Sequence, residues 1–226
     1  VVLAKRTSNQ SPFKMIDACP VCGHEVIRKE GEADHYCMNP SCPGKNINIL
    51  IHFSSRVAMD IDTLGEKVVE TFHELGYLNT IADIYTLKNF SSELKELPGF
   101  GEKKVENLLV AIENSKKQTF DKLIFGLGIK HVGAKVAKIL VKNYPTMSDL
   151  KKATIEELNS IPDIGEMIAQ SIVSYFEEEQ NLLLIDQLES FGLNMVFEKG
   201  EQIEHPFNNK TIVLTGKLQI FTRDQA

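Results

Sequence analysis

Leu97-Pro98-Gly99-Phe100-Gly101-Glu102-Lys103-Lys104 lies between two apolar runs and carries two glycines, which permit a tight backbone reversal at φ > 0. Directly after it, Val105, Leu108, Leu109 and Ile112 recur at i, i+3, i+4 and i+7, one face of a helix. The turn therefore delivers the chain into a helix N-terminus, where several amides lack partners and the dipole end is positive. Two lysines in that first turn oppose the dipole in an isolated helix. They make sense if an anion is expected there, a phosphate above all. The bland alternative, for one copy, is a solvated lysine pair after an ordinary turn.

The motif is not alone. Ile61-Asp62-Thr63-Leu64-Gly65-Glu66-Lys67 leads into Val68, Phe72 and Leu75. Leu127-Gly128-Ile129-Lys130-His131-Val132-Gly133-Ala134-Lys135 leads into Val136, Ile139 and Leu140. Ile161-Pro162-Asp163-Ile164-Gly165-Glu166 leads into Ala169, Ile172, Val173 and Phe176. The last glycines, Gly65, Gly101, Gly133 and Gly165, are 36, 32 and 32 residues apart, a period that signals stacked helical units. Each unit reads helix, glycine turn, helix. The pattern resembles the helix-hairpin-helix motif of DNA repair proteins, which implies a grip on a phosphate backbone without base readout.

All four cysteines fall in Cys19-Pro20-Val21-Cys22 and Cys37-Met38-Asn39-Pro40-Ser41-Cys42, with 14 residues between the pairs. Two close pairs flanking a short hairpin have the spacing of a tetrahedral four-thiolate zinc site. Val26-Ile27-Arg28 and His35-Tyr36 are the strand candidates of that hairpin. Two disulfides or four free thiols are the alternative. With four thiolate ligands no position remains for a water, so the metal is expected to be structural and to supply the folding energy of a knuckle too small for its own core. His24 and His35 read as surface residues rather than ligands.

Composition is that of an ordinary globular chain of 226 residues, 42% hydrophobic and 25% charged. It has no run approaching the roughly 18 apolar residues of a membrane span, and residues 1–10 have no signal-peptide pattern. The paired cysteines and the lack of an export signal suggest a reducing cytoplasm, and the missing initiator Met a piece of a longer chain. The net charge of −6 argues at first against nucleic acid, but its distribution does not. Residues 91–152 hold 12 Lys and no Arg against seven acids; residues 153–205 hold one Lys against 12 acids. One region is expected to meet a polyanion while another faces away.

The turns differ in charge. The second offers Lys103 and Lys104, the third Lys130, Lys135 and Lys138, the first only Lys67 with Arg56 just upstream. The fourth reads as placing Glu166 where the others place a base. The second and third are thus expected to bind DNA, through amides around Gly99, Gly101, Gly128 and Gly133, with Gly65 a lesser contributor. The fourth is expected to be architectural. Pro43 to Asn48 reads as a linker, and Thr154-Ile155-Glu156-Glu157 as a capping box. Lys210-Thr211-Ile212-Val213-Leu214-Thr215-Gly216 reads as a β-branched strand after an acidic linker.

The order of these parts is more specific than any one of them. A four-cysteine knuckle, then His52-Phe53-Ser54-Ser55-Arg56-Val57-Ala58-Met59-Asp60-Ile61, four hairpin units and the Thr211–Gly216 strand together resemble the C-terminal half of a bacterial NAD-dependent DNA ligase. The resemblance implies a mainly α fold in five parts. These are the tail of an oligonucleotide-binding domain (1–17), a small four-cysteine zinc finger (18–48), an all-α tandem helix-hairpin-helix domain (49–197), a linker (198–206) and a truncated α/β BRCT start (207–226). It also implies a parent enzyme that uses NAD and magnesium to seal nicks in double-stranded DNA during replication and repair. The adenylated lysine of such enzymes lies in a Lys-x-Asp-Gly motif that this sequence lacks. The segment alone is therefore expected to bind and not to catalyse, as a monomer, with no membrane, in a bacterial cytoplasm near the nucleoid. Two rivals remain: an adaptor with protein partners, and a nuclease or recombination helper built on the same hairpins. No carboxylate cluster suited to two-metal hydrolysis supports the latter.

Overall fold

The computed structural model describes residues 13–28, 31, 33–39 and 42–198. The expected barrel remnant over 1–12, nearly all of the acidic linker and the BRCT start at 207–226 lie outside the described residues. Residues 13–17 carry no helix or strand. Two strands, β1 (Val26–Arg28) and β2 (His35–Cys37), pair antiparallel with Ile27 opposite Tyr36, as the hairpin reading of the knuckle requires.

Helix α1 (Pro43–Ser54) starts at once, with Cys42 as its N-cap residue. The linker expected at Pro43 to Asn48 is the first half of this helix, and the expected boundary between residues 48 and 49 falls inside it. Pro43-Gly44 looks like a break. Yet proline is well tolerated at the first helical position, where its missing N–H would have had no partner. The knuckle is thereby joined rigidly to the helical region, and a Cβ on Gly44 would lie 3.2 Å from the Val21 side chain.

The remaining elements of the described residues are helical: α2 (Glu66–Glu74), α3 (Ile81–Ile84), a 3-10 turn (Leu87–Phe90), α4 (Ser91–Lys95), α5 (Glu102–Ser115), α6 (Phe120–Gly126) and α7 (Ala134–Asn143). Then come α8 (Met147–Leu150), α9 (Ile155–Asn159), α10 (Glu166–Glu177) and α11 (Glu179–Ser190). The four hairpins join α1 to α2, α4 to α5, α6 to α7 and α9 to α10. The apolar faces read from periodicity are the buried ones in α5 (Val105, Leu108, Ile112) and α10 (Ala169, Ile172, Phe176). In α2 the buried face is Val69 and Phe72; Leu75 is 50% exposed, because α2 ends at Glu74 and the chain turns away.

One core runs through all four units, from Leu50 and Phe53 to Leu188 and Met195. Each large side chain buried there contributes roughly 1.5–3 kcal/mol relative to leaving it in water. The segment after α11 ties the halves together. The Asn194 amide donates to the Lys116 carbonyl, and the Met147 amide to that of Met195.

The chain is also a duplication. Short helices α3 and α8 open with Thr80-x-x-Asp83 and Thr146-x-x-Asp149, and α9 with Thr154-x-x-Glu157. The Asp83 carboxylate accepts from the Thr80 amide, and the Thr146 hydroxyl accepts from the Asp149 amide. Both bonds of the expected box at Thr154 and Glu157 form, at 3.0 and 3.2 Å. Each half is thus hairpin, capped connector, hairpin.

Candidate metal centre and nucleic-acid interface

The four cysteine sulfurs converge, all within 4.8 Å of one another. Cys19 Sγ lies 3.9 Å from Cys42 Sγ, and Cys22 Sγ 3.4 Å from Cys37 Sγ. Zinc–sulfur bonds of about 2.3 Å in a tetrahedron place sulfurs roughly 3.8 Å apart; a disulfide needs about 2.05 Å. Backbone amides point at the sulfurs: that of His24 chiefly pushes Cys22 down to about 6, and those of Cys22 and Val21 lower Cys19. Burial pushes Cys37 up to about 11. Four thiols sharing one small space cannot all ionise unaided, and a divalent cation at their centre would hold them all as thiolates. The donor set and its amides fit structural zinc.

The four hairpins share one turn. In each, an amide donates to the carbonyl three residues back: Leu64 to Ile61, Phe100 to Leu97, Val132 to Ile129 and Ile164 to Ile161, at 2.9 to 3.2 Å. The third residue of each turn has positive φ: Thr63 at 70°, Gly99 at 77°, His131 at 67° and Asp163 at 69°. This is a type II turn, with proline before the positive-φ residue in the second and fourth. The fourth residue plugs into the core; Leu64, Val132 and Ile164 are buried, and Phe100 sits against Phe72 with ring centroids 5.1 Å apart. Next comes the glycine, exposed, extended and N-capping the second helix.

Superposing the turns by this geometry corrects two expectations. Gly128 is not the partner of Gly99; His131 is. Gly128 lies three residues before His131, just past the end of α6, with its own positive φ of 68° and open space apart from the His52 ring. Nor does Glu166 replace a base. It matches Glu66 and Glu102, the first residue of each helix, where a carboxylate suits the dipole. The second helical position is the telling one. It holds Lys67, Lys103 and Lys135 in the first three units and Met167 in the fourth.

Beyond each glycine the first intrahelical bonds are made to its own carbonyl, from Val68, Lys104, Ala137 and Ile168 onward. Among the described residues, the amides of Gly101, Glu102 and Lys103 make no bond within the chain, and the same holds at Gly65, Gly133 and Gly165 with the two residues after each. No side chain caps these four helices. A Cβ built on any of the four glycines meets nothing within 4 Å. The short connectors α3, α8 and α9 are capped by threonine; α1, α4, α6 and α11 also lack a side-chain cap, but none of them begins behind an exposed glycine.

The bases take different stations. Lys67 and Lys103 are exposed. Lys104 folds back, donating to the Gly99 carbonyl at 3.1 Å with its ammonium 3.9 Å from the Phe100 ring centroid; it braces the turn. Lys130 lies over the Tyr36 ring of the knuckle, 4.9 Å from its centroid. Lys135 reaches the fourth hairpin, its Nζ 3.0 Å from an Asp163 carboxylate oxygen. Arg56 is exposed and lines, with Thr63 and Gly65, a shallow cleft of about 290 Å³ at the first hairpin. Sequence reasoning missed His131, Asp163 and Tyr36, although aligning the turns on their last glycine would have placed the first two.

Residues 18–43 match the NAD-dependent DNA ligase C4 zinc finger domain. Residues 55–114 match the SAM-like helix-hairpin-helix tandem and 122–185 the helix-hairpin-helix motif, which are the two halves of the duplication. Over its whole length the chain is 57% identical to the DNA ligase of Acholeplasma laidlawii, 47% to that of Macrococcus caseolyticus and 47% to that of Halalkalibacterium halodurans. This chain is a segment of the DNA ligase family. It spans about a third of those relatives' length, 34% in each case. Among the described residues of the ligase segment, no helix is long and apolar enough to cross a membrane.

Proposed function

We propose that this segment is the DNA-holding part of an NAD-dependent ligase that seals nicks in duplex DNA. The observation that carries the reading is the fourfold repeat of an uncapped helix end behind an exposed glycine, with its first amides unbonded and open space in front of them. Free amides converging on open space beside Lys103 form a site for a phosphate oxygen. Such contacts fix position along the backbone and read no base, as suits an enzyme that must act wherever a strand is broken. Lys67, Lys135 and Arg56 add charge, and the zinc knuckle holds the first helix in place. Transfer of AMP from NAD and magnesium-assisted joining belong to the remainder of the ligase, since the segment has no Lys-x-Asp-Gly.

Binding of the 226-residue chain to fluorescent nicked duplexes of unrelated sequence, measured by anisotropy from 50 to 200 mM salt, tests this. Affinity is expected to be alike across sequences and to fall steeply with salt, with a slope of about −0.9 per phosphate contact. Lys103→Glu with Lys135→Glu is expected to weaken every duplex together and to flatten that slope. Unchanged affinity in the double variant would sink the reading and favour a protein-binding adaptor.

A further inference from the structure

The fourth hairpin has the same turn, the same open amides and the same exposed glycine as the other three, yet it differs at two places that face a ligand. Its second helical residue is Met167 where the others have lysine. Its positive-φ residue is Asp163, and that carboxylate holds Lys135 of the third hairpin at 3.0 Å. The turn does not need the acid. Glycine fills the position in the second hairpin without strain, and asparagine tolerates the left-handed region as well as aspartate does. Nor does the fold need the pair, since both side chains are mostly exposed, 75% and 56%, and ion pairs of that kind contribute little to stability.

We infer that Asp163 is an internal competitor for the phosphate at the third hairpin, setting how tightly and how salt-dependently the segment holds DNA. This rests on the phosphate-grip reading above. The Lys135 ammonium stands at the same helical position as Lys103, beside open amides, but its charge is answered within the chain. A DNA phosphate arriving at Gly133 must draw Lys135 away from Asp163 and tolerate a carboxylate within a few ångströms. Hairpins three and four thus form one unit with a moderated grip, and hairpin two, whose Lys103 has no ion-pair partner among the described residues, is the firm one. An enzyme that must release its product gains from one contact that opens readily.

Anisotropy with nicked duplex as probe tests the inference on the 226-residue chain through Asp163→Asn, Lys135→Met, the pair combined, and Asp186→Asn. Asp186 also forms an exposed ion pair, with Lys151 at 2.8 Å, and serves as the equal-charge control away from the hairpins. Asp163→Asn is expected to tighten binding about fivefold at low salt, the worth of one charge a few ångströms from a phosphate in water. It should also steepen the salt slope by about 0.9. The gain should fall by more than half in the Lys135→Met background, where only direct repulsion of the phosphate remains, and Asp186→Asn should give less than half of it.

Equal affinity in Asp163→Asn overturns the inference. So does weaker binding, which would make the carboxylate a strut that aims Lys135. A gain undiminished without Lys135, or matched by Asp186→Asn, would reduce it to bulk charge and overturn it too. Lys103→Glu separates the two levels. If it weakens binding while Asp163→Asn changes nothing, only this inference falls; if neither matters, the phosphate grip falls as well.

Discussion

The Lys130 ammonium lies 4.9 Å from the centroid of the Tyr36 ring, so a residue of the third hairpin's turn rests on the strand that supplies Cys37. The metal centre and the hairpins therefore share a surface. β2 is only three residues long and pairs with one three-residue partner, too little to persist in water without the metal. Cys22→Ser is expected to abolish retention of one zinc in native mass spectrometry while the helical circular dichroism stays, since the helical core does not include the knuckle cysteines. In the same variant the amide resonances of Lys130 and His131 should shift although neither touches the metal. Unshifted resonances would show that the ring contact carries nothing across the boundary.

Adding a methyl group at the hairpin glycines should separate fold from binding. Gly101→Ala and Gly133→Ala place a Cβ in open space on an extended backbone, where alanine is conformationally acceptable. The stability cost is roughly 0.5–1 kcal/mol, because alanine is a poorer N-cap than glycine. That same Cβ occupies the approach to the free amides, so affinity for duplex should fall at least tenfold. Urea unfolding and anisotropy on one preparation check both halves. Gly99→Ala differs: at φ 77° it strains the turn and should cost about 1–2 kcal/mol of stability.

The parts legible in the sequence were those whose signal is local. The cysteine spacing is a contact within two short turns, and the last glycine of each hairpin recurs because its N-cap needs no side chain. The register inside the hairpins was less legible, because a search for paired glycines finds Gly128 and passes over His131. The positive-φ position is imposed by the turn and by burial of the next residue, so even the β-branched Thr63 occupies it, against its own preference. Pro43-Gly44 reads as a break until Cys42 is seen capping α1. The Lys135–Asp163 contact spans two hairpins and depends on how α7 and α10 approach, which no window of sequence contains.

Alkaline pH should expose the two buried phenols. Burial raises Tyr85 and Tyr175 well above the ordinary value near 10. The folded state thus keeps both protonated where the unfolded chain has begun to lose those protons. Native protein then binds more protons than unfolded, and stability falls as pH rises. The contribution is complete below about pH 10 and lost progressively above it. Urea midpoints measured at pH 9, 10 and 11 should drop, and Tyr175→Phe should flatten the drop. Tyr85→Phe should do the same at a cost of about 1 kcal/mol at neutral pH, because the Tyr85 hydroxyl bonds Ser115, whose own proton goes to the Ile112 carbonyl.

Gly126 fixes how closely the third unit docks on the first. It ends α6, and a Cβ there would lie 3.2 Å from Cδ2 of Phe53, 3.5 Å from Cβ of Ala58 and 3.6 Å from Cγ of Met59. On propensity alone Gly126→Ala should help, by up to about 1 kcal/mol in a helix interior and less at a last residue. Packing opposes it. Phe53 has no exposed surface and stands edge-on to Tyr85, so its ring has nowhere to retreat. Overpacking a filled core costs typically about 1–3 kcal/mol. Packing therefore outweighs propensity, and Gly126→Ala is expected to lower the urea midpoint by a net of about 1–2 kcal/mol with an unchanged slope. It should also stretch the 2.8 Å contact between His52 Nε2 and the Phe125 carbonyl, which orients the chain entering the third hairpin. Duplex affinity should therefore fall beyond what the unfolded fraction explains. A more stable Gly126→Ala variant would mean that α1 and α6 slide past each other freely, and that the docking of the two halves is softer than their shared core suggests.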